Sequence, residues 1–289
     1  MLHSFALSVS LEGGLRAAFW HGHSGRTTLR SLLRSSRDGA CVGLLKNFFR
    51  VANRNGYNST AAYQRHLASK LRLHRSNRDL AFADAIGSQT IELFESQGDG
   101  QVAVLKYHGL RDGMSIYDLG CGCGRTAQAL QRAGWRGRYI GADIVDGFIA
   151  ELRRKCPAFE AHVHRKPTIV AEDSSLDILF HWSVFTHISP EECFLYLEDS
   201  FRALKPGGKL IFSFLEMADP HYSRIFENRL KRLRNERRLP LLDTFLHPDW
   251  IRLWAEKIGF GEPRFTDGLD GSNHPPMWQT VAVIDKPSA

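Results

Sequence analysis

The stretch "IYDLGCGCGRTAQAL", Ile116 to Leu130, decides the fold of this chain. Its apolar start predicts a strand, Gly120, Gly122 and Gly124 follow as G-x-G-x-G, and "GRTAQALQRAG" predicts a helix. Glycines let backbone amides approach a ligand closely, and the start of a helix adds positive potential. The stretch is therefore either a cradle for a nucleotide-like ligand or a Cys-x-Cys site for metal or redox chemistry.

Short apolar runs and helix-length patterns alternate on both sides of this loop. "RYIGADI", "LDILFHWSVF" and "KLIFSFLE" predict strands, and "SPEECFLYLEDSFRAL" predicts a helix that begins with a capping box of Ser189 and Glu192. This alternation predicts a parallel sheet covered on both faces, with ligands bound at the carboxyl ends of the strands. "PRFTDG" and "QTVAVID" close the chain and predict an antiparallel hairpin.

Two acids define the ligand that the loop would hold. Asp143 ends the second strand, 23 residues after Gly120, where a carboxylate can accept hydrogen bonds from ribose hydroxyls. A dinucleotide site has the spacing G-x-G-x-x-G, whereas here the third glycine comes one residue early. Asp118, two residues before the first glycine, would repel a pyrophosphate. These residues predict a cradle for a cationic ligand that contains ribose.

The five cysteines do not form a metal or disulfide framework. Cys121 and Cys123 have no second Cys/His pair at matching spacing, and Cys41, Cys156 and Cys193 are scattered. A redox pair normally has two residues between its cysteines. The sequence therefore predicts a cradle, no metal site, and free thiols in a reducing compartment, the cytoplasm.

The motifs "YDLGCGCGR", "YIGADI", "LDILFHWSVFTHI", "LKPGGKLIFSF" and the closing "GF…QTVAVID" together resemble a class I S-adenosylmethionine-dependent methyltransferase, over roughly 109–286. The resemblance implies an enzyme with S-adenosylmethionine as cofactor. It also implies an α/β, Rossmann-like, doubly wound sheet of seven strands in the order 3-2-1-4-5-7-6, with strand 7 antiparallel.

By motif, the resemblance assigns the following cofactor-binding residues: Asp118, Gly120, Cys121, Gly122, Gly124, Asp143, Ile144, Trp182 and Ser183. The loop residues would surround the methionine and ribose, Asp143 would hold the ribose hydroxyls, and Ile144 would pack on the adenine. Trp182 and Ser183 would line the methyl-transfer site. One feature departs from the family: "VHRKPTIVAEDSS" has no acid directly after the third strand. A backbone carbonyl or His164 would then recognise the adenine amino group.

His187, in "HWSVFTHIS", is the expected catalytic residue, as a general base or as an acceptor-positioning group. A histidine that caps the next helix or packs in the loop is the alternative. His181 is the second candidate, because strand alternation places it on the same face as Ser183. The motifs that accompany methylation of nucleobase amino groups, cytosine carbon or catechols are missing. A small molecule, sugar or lipid precursor methylated on oxygen or nitrogen is therefore expected.

The uneven distribution of charge along the chain separates a basic N-terminal part from the rest. Residues 1–80 hold 13 lysines and arginines against three acids, although the whole chain has a net charge of only +7. We predict a basic, partly disordered arm over 1–55, a helical cap over 56–108 in which Tyr57, Tyr63 and His66 pack, and the cofactor-binding domain over 109–289. A basic insert, 219–242, contains "RLKRLRNERR" and favours an anionic acceptor.

Three alternatives remain open at this point. RNA becomes the acceptor if the arm and the insert form one basic face. The arm could instead contact an anionic membrane surface, although no apolar run reaches the length of a membrane-spanning helix. A non-catalytic partner protein that only binds S-adenosylmethionine is the third alternative.

Overall fold

The sheet at the centre of the protein is built from the strands that the alternating pattern predicts. We describe residues 59–236 and 243–288 of a computed structural model. The parallel strands are β1 (Ser115–Leu119), β2 (Arg138–Asp143), β3 (Glu160–Val163), β4 (Leu176–His181) and β5 (Leu204–Glu216). Two later strands, β7 (Arg264–Thr266) and β8 (Thr280–Asp285), complete the main sheet.

The strand order is β3-β2-β1-β4-β5-β8-β7, and β8 runs antiparallel to both of its neighbours. This confirms the predicted order and the predicted closing hairpin. One strand was not predicted: β6 (Phe245–Leu246) pairs in parallel with the end of β5. A strand of two residues has no periodicity from which to predict it.

Helices cover both faces of the sheet. They are α1 (Ser59–Leu73), α2 (Arg78–Ala85), α3 (Ile91–Tyr107), α4 (Arg125–Arg132), α5 (Asp146–Lys155), α6 (Pro190–Ala203), α7 (Pro220–Glu236) and α8 (Pro248–Ile258). The predicted capping box at the start of α6 is present, because Ser189 accepts from the Glu192 amide and the Glu192 side chain accepts from the Ser189 amide. None of the helices in the described ranges is long and apolar enough to cross a membrane.

Neighbouring residues of β1 supply the two cores. Ile116 packs in a cluster with Leu105 of α3 and Leu130 of α4, on one face of the sheet. Tyr117 faces the opposite cluster, which includes Leu197 of α6. Each such side chain contributes about 1.5–3 kcal/mol by its burial. The strand alternation therefore fixes β1 between two layers of helices and holds its carboxyl end in place.

Some of the predicted segments lie outside the described residues. The basic arm, 1–55, is one of them, together with Tyr57 and the last six residues, 237–242, of the predicted insert. The described part of the insert forms α7. The proposed domain boundaries stay predictions.

Candidate functional site

A cavity of about 880 Å³ opens at the carboxyl ends of β1, β2 and β4. Its walls also include residues of α1, the end of α2, α3 and the segment 275–279 before β8. Sites for small molecules typically have volumes of about 300–1,000 Å³. The cavity is therefore large enough for a cofactor together with an acceptor, and all of the predicted site residues except Gly124 line it.

The glycine-rich loop forms the floor of this cavity between β1 and α4. Gly120 has a φ of +67°, and a Cβ there would lie 2.4 Å from Cγ2 of Val184. Gly124 has a φ of +90° and precedes α4; its Cβ would lie 2.9 Å from Cγ of Leu152. Both positions require glycine, because other residues rarely adopt a positive φ and no room exists for a side chain. The loop is thus a shaped cradle, and Gly124 contributes by turning the chain and not by facing the cavity.

Asp143 stands at the end of β2 and is held by backbone amides. Its Oδ2 accepts from the Gly122 amide at 3.1 Å and its Oδ1 accepts from the Val145 amide at 2.9 Å. Burial raises the pKa of Asp143 to about 6, and these hydrogen bonds oppose that rise. The carboxylate is therefore fixed in the cavity wall. Its remaining lone pairs can accept hydrogen bonds from two ribose hydroxyls.

Asp118 lies deeper, 2% exposed, at the floor of the same cavity. The Tyr139 hydroxyl donates to its Oδ2 at 2.6 Å. Burial raises the pKa of Asp118 to about 7, in spite of this hydrogen bond. A cation in the cavity would favour the ionised form, so the carboxylate fits an ammonium group better than an anion.

Arg125 supplies a positive charge close to Asp118, and the sequence did not single it out. Its Nη1 donates to Oγ of Ser88 at 3.1 Å and to Oε1 of Gln97 at 2.5 Å, both neutral oxygens. Its Nε is buried and has no partner among the described residues. Burial lowers the pKa of Arg125. A partly buried guanidinium in such surroundings is suited to an anionic group of a ligand.

Trp182 and Ser183 follow β4 and line the cavity beside the loop. Ser183 has a φ of +57°, a left-handed conformation that is uncommon for a residue other than glycine. A closed set of hydrogen bonds holds it there. The Ser183 amide donates to Oγ of Ser213 at 2.8 Å, the Ser213 hydroxyl donates to Gln279 Oε1 at 2.7 Å, and Gln279 Nε2 donates to Ser183 Oγ at 2.5 Å.

His187 lines the cavity next to the carboxylate of Asp243, which no sequence pattern singled out. Its Nδ1 lies 3.8 Å from Oδ1 of Asp243, and Oδ2 of Asp243 lies 2.8 Å from Nε of Arg229 on α7. The Tyr63 ring meets the His187 ring edge-on, with 5.8 Å between the ring centroids. Tyr63 and His66, predicted to pack within the cap, both line the cavity. His187 is therefore surrounded by polar groups from three parts of the chain.

His181, the second histidine candidate, is not part of the cavity lining. It is 1% exposed and packs between Phe185 and Phe212, whose ring centroids lie 4.1 and 5.0 Å from its own. Neither ring nitrogen has a partner among the described residues, and burial lowers the pKa of His181 to about 3. The expectation that it shares a face with Ser183 is wrong, because β4 ends at His181 and the left-handed backbone of Ser183 breaks the alternation.

The cysteines of the loop serve packing. Cys121, Cys123, Cys156 and Cys193 are unpaired and buried, and Cys41 lies outside the described residues. Burial raises the pKa of Cys123 to about 12, so its thiol stays protonated. Within 59–236 and 243–288, no group of three or more His, Cys, Asp or Glu residues is placed to hold a metal ion.

Comparison with known proteins points to one family. The family model of the methyltransferase domain matches residues 116–208. A Mycolicibacterium smegmatis protein named a probable S-adenosylmethionine-dependent methyltransferase is 27% identical over 101 residues, which are 35% of this chain and 38% of that protein. The match thus spans little more than a third of that relative's length.

Solved structures share the fold. The magnesium protoporphyrin IX methyltransferase of Synechocystis PCC 6803, crystallised with S-adenosylhomocysteine, has a TM-score of 0.52 at 15% identity and covers 82% of this chain and 99% of its own. A Methanosarcina mazei S-adenosylmethionine-dependent methyltransferase has a TM-score of 0.51 at 18% identity and covers 64% of this chain and 98% of its own.

The matched domain contains the glycine-rich cradle, Asp143 and the end of β4, and the sheet around it has the strand order of the family. The cradle also fits S-adenosylmethionine, since it combines glycines without room for a Cβ, an acid for ribose, the buried carboxylate of Asp118 and the partly buried guanidinium of Arg125. Residues 116–208 are therefore similar to the methyltransferase domain, and the cavity that they line has the shape and the charges to hold S-adenosylmethionine.

Proposed function

We propose that this enzyme transfers a methyl group to an oxygen or nitrogen atom of a small acceptor of an anionic, sugar or lipid-precursor type. The observation that carries the proposal is the shared cavity. The cradle residues Gly120 and Asp143 line one part of it, and His187 lines another. Such a cavity can hold a cofactor and an acceptor side by side, which is the main requirement of a displacement reaction.

The cofactor is held by charges and shape in this proposal. Asp143 accepts hydrogen bonds from the ribose hydroxyls, and Ile144 packs on the adenine. Asp118 faces the ammonium group of the methionine portion, and Arg125 pairs with its carboxylate. Both assignments pair a charged side chain of the protein with an opposite charge of the ligand, which offsets part of the cost of removing these charges from water.

The chemistry needs little from the protein beyond alignment and a proton acceptor. S-adenosylmethionine, held by Asp118, Arg125 and Asp143, would supply a methyl group on a sulfonium centre: an oxygen or nitrogen nucleophile would bond to the methyl carbon as the carbon–sulfur bond breaks, and S-adenosylhomocysteine would leave. His187 takes the proton of the acceptor, or fixes its lone pair toward the methyl group. Asp243, at 3.8 Å from Nδ1, stabilises the protonated imidazole. Trp182 and Ser183 border the place of transfer.

The charge of α7 favours an acceptor that carries negative charge. Its exposed side chains include Arg224, Lys231, Arg232 and Arg234, and Arg229 reaches Asp243 beside His187. A positive surface near a cavity raises the local concentration of anions. The RNA and membrane alternatives depend on the arm, 1–55, which lies outside the described residues. A cytoplasmic location, expected from the free cysteines, belongs to the same proposal.

The proposal is tested with S-adenosylmethionine that carries a labelled methyl group. The protein is incubated with this cofactor and a cell extract, and the products are separated into small-molecule, lipid, RNA and protein fractions. Asp143→Ala serves as the blank, because it removes the ribose acceptor. Asp99→Ala is the matched control; its carboxylate is 63% exposed and pairs only with Arg132 at the surface.

We expect label in the small-molecule or lipid fraction with the wild type and with Asp99→Ala, and a loss of about a hundredfold or more with Asp143→Ala. Label confined to RNA would contradict the proposed acceptor class. The basic arm, 1–55, and the basic insert, 219–242, would then be the expected RNA-binding segments. Cofactor binding without any labelled product would instead support the non-catalytic alternative.

A further inference from the structure

The adenine amino group needs a hydrogen-bond acceptor, and the loop after β3 does not offer an acidic one. His164 and Arg165 of that loop line the cavity. Arg165 Nε donates to the Ile144 carbonyl at 3.1 Å, and its Nη2 pairs with Asp146. A guanidinium only donates hydrogen bonds. Arg165 therefore cannot accept a hydrogen bond from the amino group, and another acceptor is required.

Three of the acids that line the cavity already have donors. Asp84 pairs with Lys70 at 2.8 Å, and Asp118 accepts from Tyr139 at 2.6 Å. Asp143 accepts from two backbone amides and is the acid placed for ribose. Asp84 is thus paired through both of its oxygens, and Asp118 and Asp143 are the acids that the proposed function assigns to the ammonium group and to the ribose.

Glu192 is the fourth acid in the lining, and it lies in the first turn of α6. Its Oε2 accepts from the Ser189 amide at 2.9 Å, as part of the capping box. Within the described residues no donor reaches its Oε1. The capping box therefore holds the carboxylate in position and leaves one of its oxygens for a ligand.

Tyr196 connects the part of α6 that carries Glu192 to the loop after β3. It lies one turn later on the same face of α6, lines the cavity, and its hydroxyl donates to the Lys166 carbonyl in the loop after β3 at 3.2 Å. Burial and the charges of Glu192 and Asp143 raise the pKa of Tyr196 to about 12. Glu192 and Tyr196 therefore line the cavity from α6, next to the loop after β3.

We infer that Glu192 accepts a hydrogen bond from the 6-amino group of adenine and sets the preference of the site for adenine over 6-oxo purines. The inference rests on the proposed placement of ribose at Asp143. A 6-oxo purine would turn lone pairs toward the carboxylate, whereas adenine offers it a donor. Recognition of the base would then come from α6 and not from the loop after β3.

The test compares binding of S-adenosylhomocysteine with binding of its 6-oxo analogue, S-inosylhomocysteine, by isothermal titration calorimetry. It needs no acceptor and no turnover. Glu192→Gln is the test variant, since glutamine also completes a capping box. Glu191→Gln is the matched control; it removes the same charge from the same turn, and Glu191 does not line the cavity. Thermal melting of each variant checks that it folds.

We expect the wild type and Glu191→Gln to bind the adenine compound at least about tenfold more tightly, the worth of one hydrogen bond to a charged group. In Glu192→Gln the amide can either accept or donate, so the two affinities should agree to within about threefold. An undiminished preference in Glu192→Gln, or no preference in the wild type, overturns the inference. If the wild type binds neither compound, the result would instead contradict the proposed cofactor site itself.

Discussion

Asp118 carries a carboxylate that is 2% exposed, and burial places its pKa at about 7. A buried acid of this kind destabilises its own ionised form, and the Tyr139 hydroxyl compensates only in part. A bound ammonium group would shift the balance toward the ionised form. The cofactor and the proton therefore compete for this one side chain.

The first prediction concerns this competition. Because only ionised Asp118 attracts the ammonium group, binding of S-adenosylhomocysteine should tighten as the pH rises from about 6 to 7, by up to about tenfold per pH unit, and should level off above. Calorimetric titrations across this range measure the effect. Asp118→Asn should bind weakly and keep only the change of about twofold between pH 6 and 7 that the ionisation of Asp143, with a pKa of about 6, causes. Asp99→Asn, at the surface, should keep the wild-type profile, and a wild-type affinity that does not change with pH would contradict the prediction.

At the scale of elements, three segments meet at Ser183. The hydrogen bonds between Ser183, Ser213 and Gln279 join the end of β4, the middle of β5 and the residue before β8. Ser213 is fully buried, so its hydroxyl has no water to replace a lost partner. The hydrogen bonds therefore hold the strained backbone of Ser183 and fix the edge of the cavity.

The second prediction follows from this arrangement. Gln279→Ala removes one acceptor and one donor at once and should lower the free energy of unfolding by about 1–3 kcal/mol. Ser213→Ala should do the same, and the double variant should lose less than the sum, because both changes break one set of bonds. Denaturant unfolding measures each value. Gln64→Ala, which removes an exposed hydrogen bond to Asp146, should stay within about 0.5 kcal/mol of the wild type; strict additivity would contradict the prediction.

The elements also show what a sequence can and cannot predict. The closing hairpin and the capping box depend on local patterns, which predicted them, whereas the strand order was predicted from the resemblance to the methyltransferase family. Partners across the fold have no local pattern. Asp243 reaches His187 from 56 residues further along the chain, and the hydrogen bonds of Arg125 to Ser88 and Gln97 are visible only in the folded chain. His181 was misplaced because alternation assumes a continuing strand, whereas the backbone turns at Ser183.

At the scale of the whole molecule, distant parts of the chain enclose one ligand. Besides the strand ends, the cavity is lined by the turn after α2, by α3 and by residues 275–279 near the carboxyl end of the chain. Met277 packs against Gly100 of α3 so closely that a Cβ on Gly100 would lie 2.4 Å from its sulfur. The wall before β8 and the wall on α3 are thus in direct contact, and a ligand between them and the sheet touches both.

The third prediction tests this enclosure by hydrogen exchange. At a hundredfold excess over its dissociation constant, a ligand that binds only the folded state stabilises it by about 2.7 kcal/mol. With S-adenosylhomocysteine at this excess, amides of 86–101 and 277–279 should exchange more slowly, together with those of the glycine-rich loop. Amides of α8 that exchange by local opening should not change, because no residue of α8 lines the cavity. Asp143→Ala should show no protection at the same ligand concentration. Protection confined to the glycine-rich loop and Asp143 would mean that the sheet alone binds the cofactor, and that α3 and the segment before β8 face only the acceptor.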